Sequence, residues 1–177
     1  MSAPLFDRLR EQLSPGEAGQ EGQVSADTPV ICRGVQHQVL VFELAPAAVM
    51  PVARRLRDEF GFDLFLDVTA VDWPGEPLRF EVVWHVYSTT DRQRVRLKTR
   101  VAESDPIVSS LTPLYGAAGY MERECHDMYG IVFDGNADHR PILLYEGFVG
   151  HPLRKDYPKQ KEQPLVPYLP PQGALVR

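Results

Sequence analysis

The sequence predicts an α+β fold, a two-layer sandwich with helices on one face of a mostly antiparallel sheet. Residues 78–88 and 93–101 alternate apolar and polar side chains, as the two strands of a hairpin do, whereas residues 49–60 repeat apolar side chains at helical spacing. The whole element order is helix, strand, helix, three strands and a helix, followed by an irregular C-terminus. A chain of 177 residues suits one such domain.

The chain is predicted to have four parts. Residues 1–13 hold an N-terminal helix, because Leu5, Phe6, Leu9 and Leu13 fall on one side of a helix over residues 4–13. Residues 14–29 are rich in glycine and small polar side chains and predict a flexible linker. Residues 30–157 form the single α+β domain, and residues 158–177 form an extended, proline-rich tail.

Within the domain, residues 38–44 predict a strand and residues 49–60 a helix that Gly61 ends. Pro51 fits only in the first turn of that helix. The run 64–71 has apolar side chains on both faces and predicts a central strand. Further elements are predicted with these bounds: a turn and short helix at 106–115, a helix at 118–129 stopped by Gly130, and two short extended pieces after it.

The hairpin has a well-specified register, because a slip by one residue would mix its apolar and polar faces. A four-residue loop from Thr89 to Arg92 predicts the pairs Val86–Val95, Trp84–Leu97, Phe80–Val101 and Glu81–Arg100. Cations occupy alternate positions on the polar face: Arg92, Arg94, Arg96, Lys98 and Arg100. These cations form either a solvated sheet face or a contact with an acidic partner.

Composition excludes several functional classes. A net charge of −5 and a pI near 5.5 argue against nonspecific nucleic-acid binding. Cys32 and Cys125 are the two cysteines and form no Cys-x-x-Cys pair, so an iron–sulfur or zinc site of this chain alone is not expected. No apolar run reaches the ~20 residues of a membrane span, and the N-terminus lacks a signal-peptide core. A cytoplasmic protein is expected.

Polar residues concentrate first in the segment MERECHDMYG, residues 121–130. On a helix, Glu122 can reach His126 and Arg123 can reach Asp127, so ion pairs along the helix are the favoured interpretation. Glu124 and Asp127 share a face, which leaves open an acid/base pair or part of a metal site. Cys125 lies on an apolar stripe and is expected to be a buried structural thiol.

The second polar cluster is GFVGHPLRKDYP, residues 147–158. Arg154 and Lys155 suit an anion-binding loop, but the Gly-rich pattern of a nucleotide phosphate site is missing from the sequence. The alternative is a fixed turn whose charges dock against the acidic helix or a neighbouring protein. A specific hypothesis is that Arg154 pairs with Glu124 or Asp127.

Both clusters lie within residues 122–158, ERECHDMYGIVFDGNADHRPILLYEGFVGHPLRKDYP. This segment resembles the signature of the C-lettered, thirty-kilodalton subunit family of proton-translocating NADH:quinone oxidoreductase, the bacterial respiratory complex I. Residues 64–75 and the hairpin order are also similar to that family. Local departures fall at Asn136, Ala137 and Asp138. The signature positions expected at interfaces are Glu122, Arg123, Glu124, Asp127, Gly130, Arg140, Gly150, His151, Pro152, Leu153, Arg154, Lys155, Asp156 and Tyr157.

The resemblance implies a structural subunit without cofactor or catalytic residues, with FMN and iron–sulfur clusters held by partner subunits. It implies contact with the quinone-site subunit, lettered D, in the hydrophilic arm on the cytoplasmic side of the inner membrane. Membrane association would come only through the complex, and the end at Arg177 suggests a separate subunit. Alternatives are the equivalent subunit of a membrane-bound hydrogenase-type complex, or a small metal-dependent hydrolase using Glu124, His126 and Asp127.

Overall fold

The computed structural model describes residues 3–13 and 29–160 of the chain. In chain order the elements are α1 (Ala3–Leu13), β1 (Val30–Gln36), β2 (Val39–Leu44), α2 (Val49–Phe60), β3 (Leu64–Asp72), β4 (Phe80–Ser88), β5 (Gln93–Val101), β6 (Ile107–Ser109), α3 (Ala118–Tyr129) and β7 (Val132–Asp134). A short 3-10 turn, Pro46–Ala48, leads into α2. The predicted linker and tail lie outside the described residues, apart from residues 29 and 158–160.

Five strands form the main sheet in the order β1-β2-β5-β4-β3. Neighbouring strands are antiparallel except β2 and β5, which are parallel. Strands β6 and β7 form a separate parallel pair. The α+β class and the mostly antiparallel sheet are therefore confirmed.

The core lies between the inward face of the sheet and the three helices. Helix α2 buries the whole apolar stripe predicted from its spacing: Val49, Val52, Ala53, Leu56 and Phe60. Removing such a side chain from water stabilises the fold by roughly 1.5–3 kcal/mol. Helix α1 contributes Phe6, Leu9 and Leu13 to the same cluster, so it packs as part of the domain core.

The hairpin formed by β4 and β5 has the predicted register. Its pairs include Phe80–Val101, Glu81–Arg100, Trp84–Leu97 and Val86–Val95. Four of the predicted cations project from the outward face of β5: Arg94, Arg96, Lys98 and Arg100. Arg92 differs, because it lies in the loop between the strands with a left-handed backbone (φ 56°).

Strand β1 was not predicted. It joins β2 through a two-residue turn in which His37 and Gln38 both have positive φ, 51° and 65°. Tight hairpin turns of that conformation favour Asn and Gly, and this turn has neither. The signal that normally marks such a hairpin is therefore missing from the sequence.

Two other predictions were wrong. Strand β3 is an edge strand and not a central one, because its outward residues Leu64 and Val71 remain 42% and 36% exposed. Residues 106–115 contain strand β6 followed by a turn, where a short helix was expected. Strand β6 forms because its partner β7 lies beyond α3 in the chain, a pairing that local pattern does not reveal.

Candidate protein-docking site at the end of helix α3

Helix α3 ends at Gly130, which adopts a left-handed backbone (φ 75°) and donates its N–H to the carbonyl of His126 at 2.7 Å. The last turn of a helix leaves its carbonyls without helical partners. Here the remaining three are bonded by the signature turn: His151 Nδ1 to Asp127 O at 2.9 Å, Leu153 N to Met128 O at 3.1 Å, and Arg154 Nε to Tyr129 O at 2.6 Å. The His-Pro-Leu-Arg run thus caps α3 from a distant part of the chain.

This cap explains the residue types in the signature turn. His151 Nδ1 must carry a proton, because its partner is a carbonyl. The guanidinium of Arg154 lies at the negative end of the helix dipole, where a cation is stabilising. Its Cζ also lies 4.8 Å from the ring centroid of Phe80, and its Nη1 is 3.7 Å from Glu103. Arg154 therefore joins the helix end to the sheet.

Asp127 holds the loop that follows β7. One carboxylate oxygen accepts the backbone N–H groups of Ile142, Leu143 and Leu144 at 2.9, 2.8 and 3.2 Å. Burial opposes the charge, but the three amide bonds outweigh it and keep the pKa of Asp127 below its ordinary value. Three amides on one oxygen fix the backbone of residues 142–144 without any regular secondary structure.

Arg123 fixes the same loop from its other end. Its guanidinium donates to the carbonyls of Arg140 and Pro141 at 2.8 and 3.0 Å and lies 3.2 Å from Asp138. Asp138 in turn pairs with the Arg140 side chain, whose hydrogen bonds hold the pKa of that carboxyl well below its usual range. Two side chains of one helix therefore grip the backbone of residues 138–144.

Glu122 faces the opposite way, into the interior. It is fully buried and accepts hydrogen bonds from Ser110 Oγ, the Leu111 N–H and Asn136 Nδ2 at 2.7, 2.8 and 3.0 Å. Burial raises the pKa of Glu122, against the effect of these bonds. Its role in this geometry is to join α3 to the β6–β7 pair.

A buried ion pair anchors the end of the signature turn to the sheet. Arg79 binds both carboxylate oxygens of Asp72, at 2.7 and 2.9 Å, and donates to Asp156 at 3.0 Å. The backbone N–H of Lys155 donates to Asp72 at 2.7 Å. The hydrogen bond from Arg79 is the main reason why the pKa of Asp72 is lowered.

These anchors hold residues 138–157, here called the loop platform, which exposes apolar side chains. Its apolar residues that are 38–64% exposed are Ile142, Leu143, Tyr145, Val149 and Leu153. Tyr145, Phe148 and Tyr157 stack beside them, with ring centroids 5.4 and 6.1 Å apart. Gly150 (φ 101°) is required there, because a Cβ would lie 2.9 Å from the Tyr157 ring. Apolar side chains clustered on a fixed backbone are typical of protein-binding surfaces.

The signature residues are therefore brought together, but through partners that differ from those predicted. The expected pair between Arg154 and Glu124 or Asp127 is wrong, because Arg154 binds the end of α3. The intrahelical pairs Glu122–His126 and Arg123–Asp127 are also wrong, since these side chains leave the helix surface for other elements. Cys125 is buried, as predicted.

The hydrolase and metal-site alternatives find no support in this geometry. The Asp127 carboxylate is occupied by loop amides, and His126 Nδ1 faces the carbonyl of Ile131 at 2.9 Å. Among residues 3–13 and 29–160, no group of three or more His, Cys, Asp or Glu side chains is arranged to hold a metal ion. No helix in that part of the chain is long and apolar enough to cross a membrane.

Sequence reasoning missed Asp72 and Arg79 as part of the site. They flank the turn between β3 and β4, but their contact with residues 155 and 156 joins positions that are distant in the chain. A buried charge is normally paired, so an Arg that begins an apolar strand was a usable signal.

The cap on α3 predicts a pH dependence. Burial, followed by the positive charges of Arg154 and His126, holds the pKa of His151 below its ordinary value of 6.5 despite the bond to Asp127 O. The unfolded chain then takes up a proton that the folded chain resists. The stability contributed by His151 is complete above pH 6.5 and falls as the pH drops from there through the folded pKa.

In His151→Asn the amide Nδ2 can replace the Nδ1 donor but does not titrate. Between about pH 7.5 and about pH 5.5, we expect the free energy of unfolding to fall less in this variant than in the wild type. Urea unfolding at both pH values measures this, and His37→Asn, at the β1–β2 turn, serves as the control. Equal losses in wild type and His151→Asn would contradict a titrating cap.

The fold and the site define an α+β sandwich that carries a rigid, apolar loop platform. A family model described as respiratory-chain NADH dehydrogenase, 30 Kd subunit, matches residues 42–163. The chain belongs to this family.

Relatives support the same assignment. The C-lettered NADH-quinone oxidoreductase subunit of Rhodobacter capsulatus is 44% identical over 131 residues, which cover 73% of this chain and 65% of the relative. Its counterpart in Methylobacterium sp. (strain 4-46) is 40% identical over 156 residues, covering 87% and 66%. The chain thus spans just under two thirds of the length of these relatives.

Two solved structures share the fold. One is a trypsin-resistant fragment of Nqo5, with a TM-score of 0.60, 23% identity and coverage of 77% of this chain and 97% of that one. The other is from the membrane-bound sulfane sulfur reductase, an archaeal respiratory membrane complex, with a TM-score of 0.72, 23% identity and coverage of 89% and 86%. At this identity the likeness concerns the fold alone.

Proposed function

We propose that this chain is a noncatalytic scaffold subunit of an NADH:quinone oxidoreductase that couples NADH oxidation and quinone reduction to proton translocation. The chain carries no cofactor of its own in this proposal, and FMN and iron–sulfur clusters belong to partner subunits. It lies in the hydrophilic arm on the cytoplasmic side of the inner membrane and reaches the membrane only through the complex. Its direct partner is the quinone-site subunit.

The observation that supports this proposal is the loop platform. Asp127, Arg123 and the cap on α3 together bind backbone groups of residues 140–154, and in doing so they hold apolar side chains toward solvent. Ordering a backbone around exposed leucines and valines costs free energy that their burial against a partner offsets. Family membership supplies the kind of partner, because the relatives are named as subunits of a quinone oxidoreductase.

The decisive substitution is Leu143→Glu. Leu143 is 60% exposed and its N–H bond to Asp127 is made by the backbone, so the substitution leaves the fold of the chain unchanged. We expect the variant to unfold like the wild type but to be lost from the assembled complex, because a carboxylate would be buried in an apolar contact. The measurement is the amount of the chain that co-purifies with the complex from membranes.

Val35→Glu is the matched control. Val35 is an aliphatic residue of similar exposure, 51%, but it lies on β1 at the sheet edge opposite β3 and α3. It should assemble normally. Normal assembly of Leu143→Glu would argue against docking through the loop platform.

The same purification separates the proposal from its nearest alternative. Flavin- and NADH-binding subunits beside the chain are expected. A nickel-bearing large subunit in their place would assign the chain to a membrane-bound hydrogenase-type complex. The quinone-site subunit should cross-link to the loop platform, and cross-links from there to other subunits alone would contradict the choice of partner.

A further inference from the structure

The outward face of the sheet carries a row of cations on β5, between β2 and β4. The outer basic face is defined by Arg94, Arg96, Lys98 and Arg100. These residues alternate with the core-facing side chains of the same strand, so successive cations stand ~6.7 Å apart along the strand. The face lies on the side of the sheet opposite the helices.

No helix in the described part of the chain covers this face, because the buried apolar residues of α1, α2 and α3 all belong to the core cluster on the other side. Two outward valines are nevertheless buried, Val41 at 1% and Val83 at 6% exposure. They pair with Arg96 and Lys98 on the neighbouring strand. The aliphatic stems of these cations therefore lie over the valines, which holds the charged ends close to the sheet.

Positive charge is in excess at one end of the face. Glu81 lies 2.7 Å from Lys98 and 3.4 Å from Arg100, so the carboxylate on β4 serves that end. Neither Arg94 nor Arg96 forms an ion pair with a carboxylate among residues 3–13 and 29–160. Arg96 Nε donates instead to His85 Nε2 at 2.8 Å, and an imidazole that accepts there carries no charge.

Aromatic groups accompany the cations. Trp73 is 43% exposed with the Arg100 guanidinium 5.6 Å from its ring centroid, and Tyr87 pairs with Arg94 across the hairpin. Arginine, tryptophan and tyrosine are the residues enriched at protein interfaces. A nucleic-acid partner does not fit a chain whose net charge is −5.

We propose that the outer basic face binds a carboxylate-rich surface of a neighbouring subunit, with Arg94 and Arg96 as the main contacts. This inference rests on the proposed function for the existence of that neighbour, but it concerns a second surface, separate from the loop platform. Charge complementarity selects the partner: two arginines held in place but without carboxylates gain most from an acidic surface.

The first test is the double variant Arg94→Glu/Arg96→Glu. Its control is Arg8→Glu/Arg54→Glu, which changes the net charge equally at exposed positions of α1 and α2. The complex is captured through another subunit and washed with rising NaCl concentrations. We expect the double variant to be released at a salt concentration at least about twofold lower than wild type, and the control at the wild-type concentration.

The second test locates the partner. Arg94→Lys keeps the charge and places an amine where a zero-length carbodiimide can join it to a carboxylate. Treatment of the purified complex should link position 94 to an Asp or Glu of another subunit. Links confined to this chain, for example to Glu81 or Asp67, would overturn the proposal.

The outcomes are distinguishable. Absence of the wild-type chain from the purified complex would overturn the proposed function itself. Retention of Arg94→Glu/Arg96→Glu at wild-type salt would overturn only this inference. Loss of binding to phosphatidylglycerol vesicles in that variant, with unchanged salt release, would assign the face to lipid headgroups and reject a protein partner.

Discussion

Gly130→Ala is expected to destabilise the chain by about 3 kcal/mol. A left-handed backbone costs a non-glycine residue about 1 kcal/mol, and crowding in a packed site costs about 1–3 kcal/mol more. Both apply here, because φ is 75° and a Cβ would lie 2.5 Å from both Arg154 Nη2 and His151 Nε2. Relief of the clash must move these two caps away from the end of α3. Urea unfolding followed by tryptophan fluorescence measures the loss.

Gly61→Ala separates backbone strain from crowding. Gly61 ends α2 in nearly the same conformation, φ 70°, but a Cβ there would have only Ser88 Oγ as a neighbour, at 4.0 Å. Its expected cost is about 1 kcal/mol. Equal costs at the two glycines would show that the signature turn does not press on the helix end. Faster amide exchange at Leu153 in Gly130→Ala alone would show that it does.

Local patterns were sufficient where a segment's own residues decide its structure. Alternation in β4 and β5 predicted the register, because one slip would have exposed Trp84 and Leu97. Pro51 and Gly61 set the ends of α2 for reasons of backbone geometry. These features depend on few atoms, all within one short stretch of chain.

Features that depend on distant neighbours were not predictable in this way. Strand β3 has apolar residues on both faces whether it lies in the middle or at an edge of a sheet, and its position is set by which strands pair. Strand β6 exists only because β7 pairs with it after α3. Strand β1 depends on a turn whose residues, His37 and Gln38, are uncommon for its conformation.

The candidate site shows the same division. Its residues were found as a cluster, but the bonds between them were not, because most are made to backbone groups. Asp127 binds three amides and Arg154 binds a carbonyl. Every residue carries these groups, so the sequence does not distinguish the ones that a side chain selects. Helical spacing predicts salt bridges only for side chains that stay on the surface of the helix.

Asp72→Ala is expected to cost about 3 kcal/mol, because removing one partner of a buried ion pair leaves the other charge without compensation. The Asp72 side chain is fully buried and that of Arg79 is 9% exposed. The substitution also removes the acceptor for the Lys155 N–H, so the signature turn loses its bond to β3. The variant should therefore lose both stability and assembly into the complex, measured by urea unfolding and by co-purification.

Glu59→Ala is the control that isolates the effect of burial. Arg55 and Glu59 also form a two-pronged contact, at 3.0 and 3.0 Å, but their side chains are 40% and 48% exposed on α2. Such a pair contributes about 0.5 kcal/mol, because water already solvates both charges. A large loss from Asp72→Ala beside a small one from Glu59→Ala attributes the difference to burial of the charge and to the attached turn. Similar losses would mean that Arg79 is held well enough by Asp156 and Glu103 alone, and the loop platform would then depend on α3 rather than on the sheet.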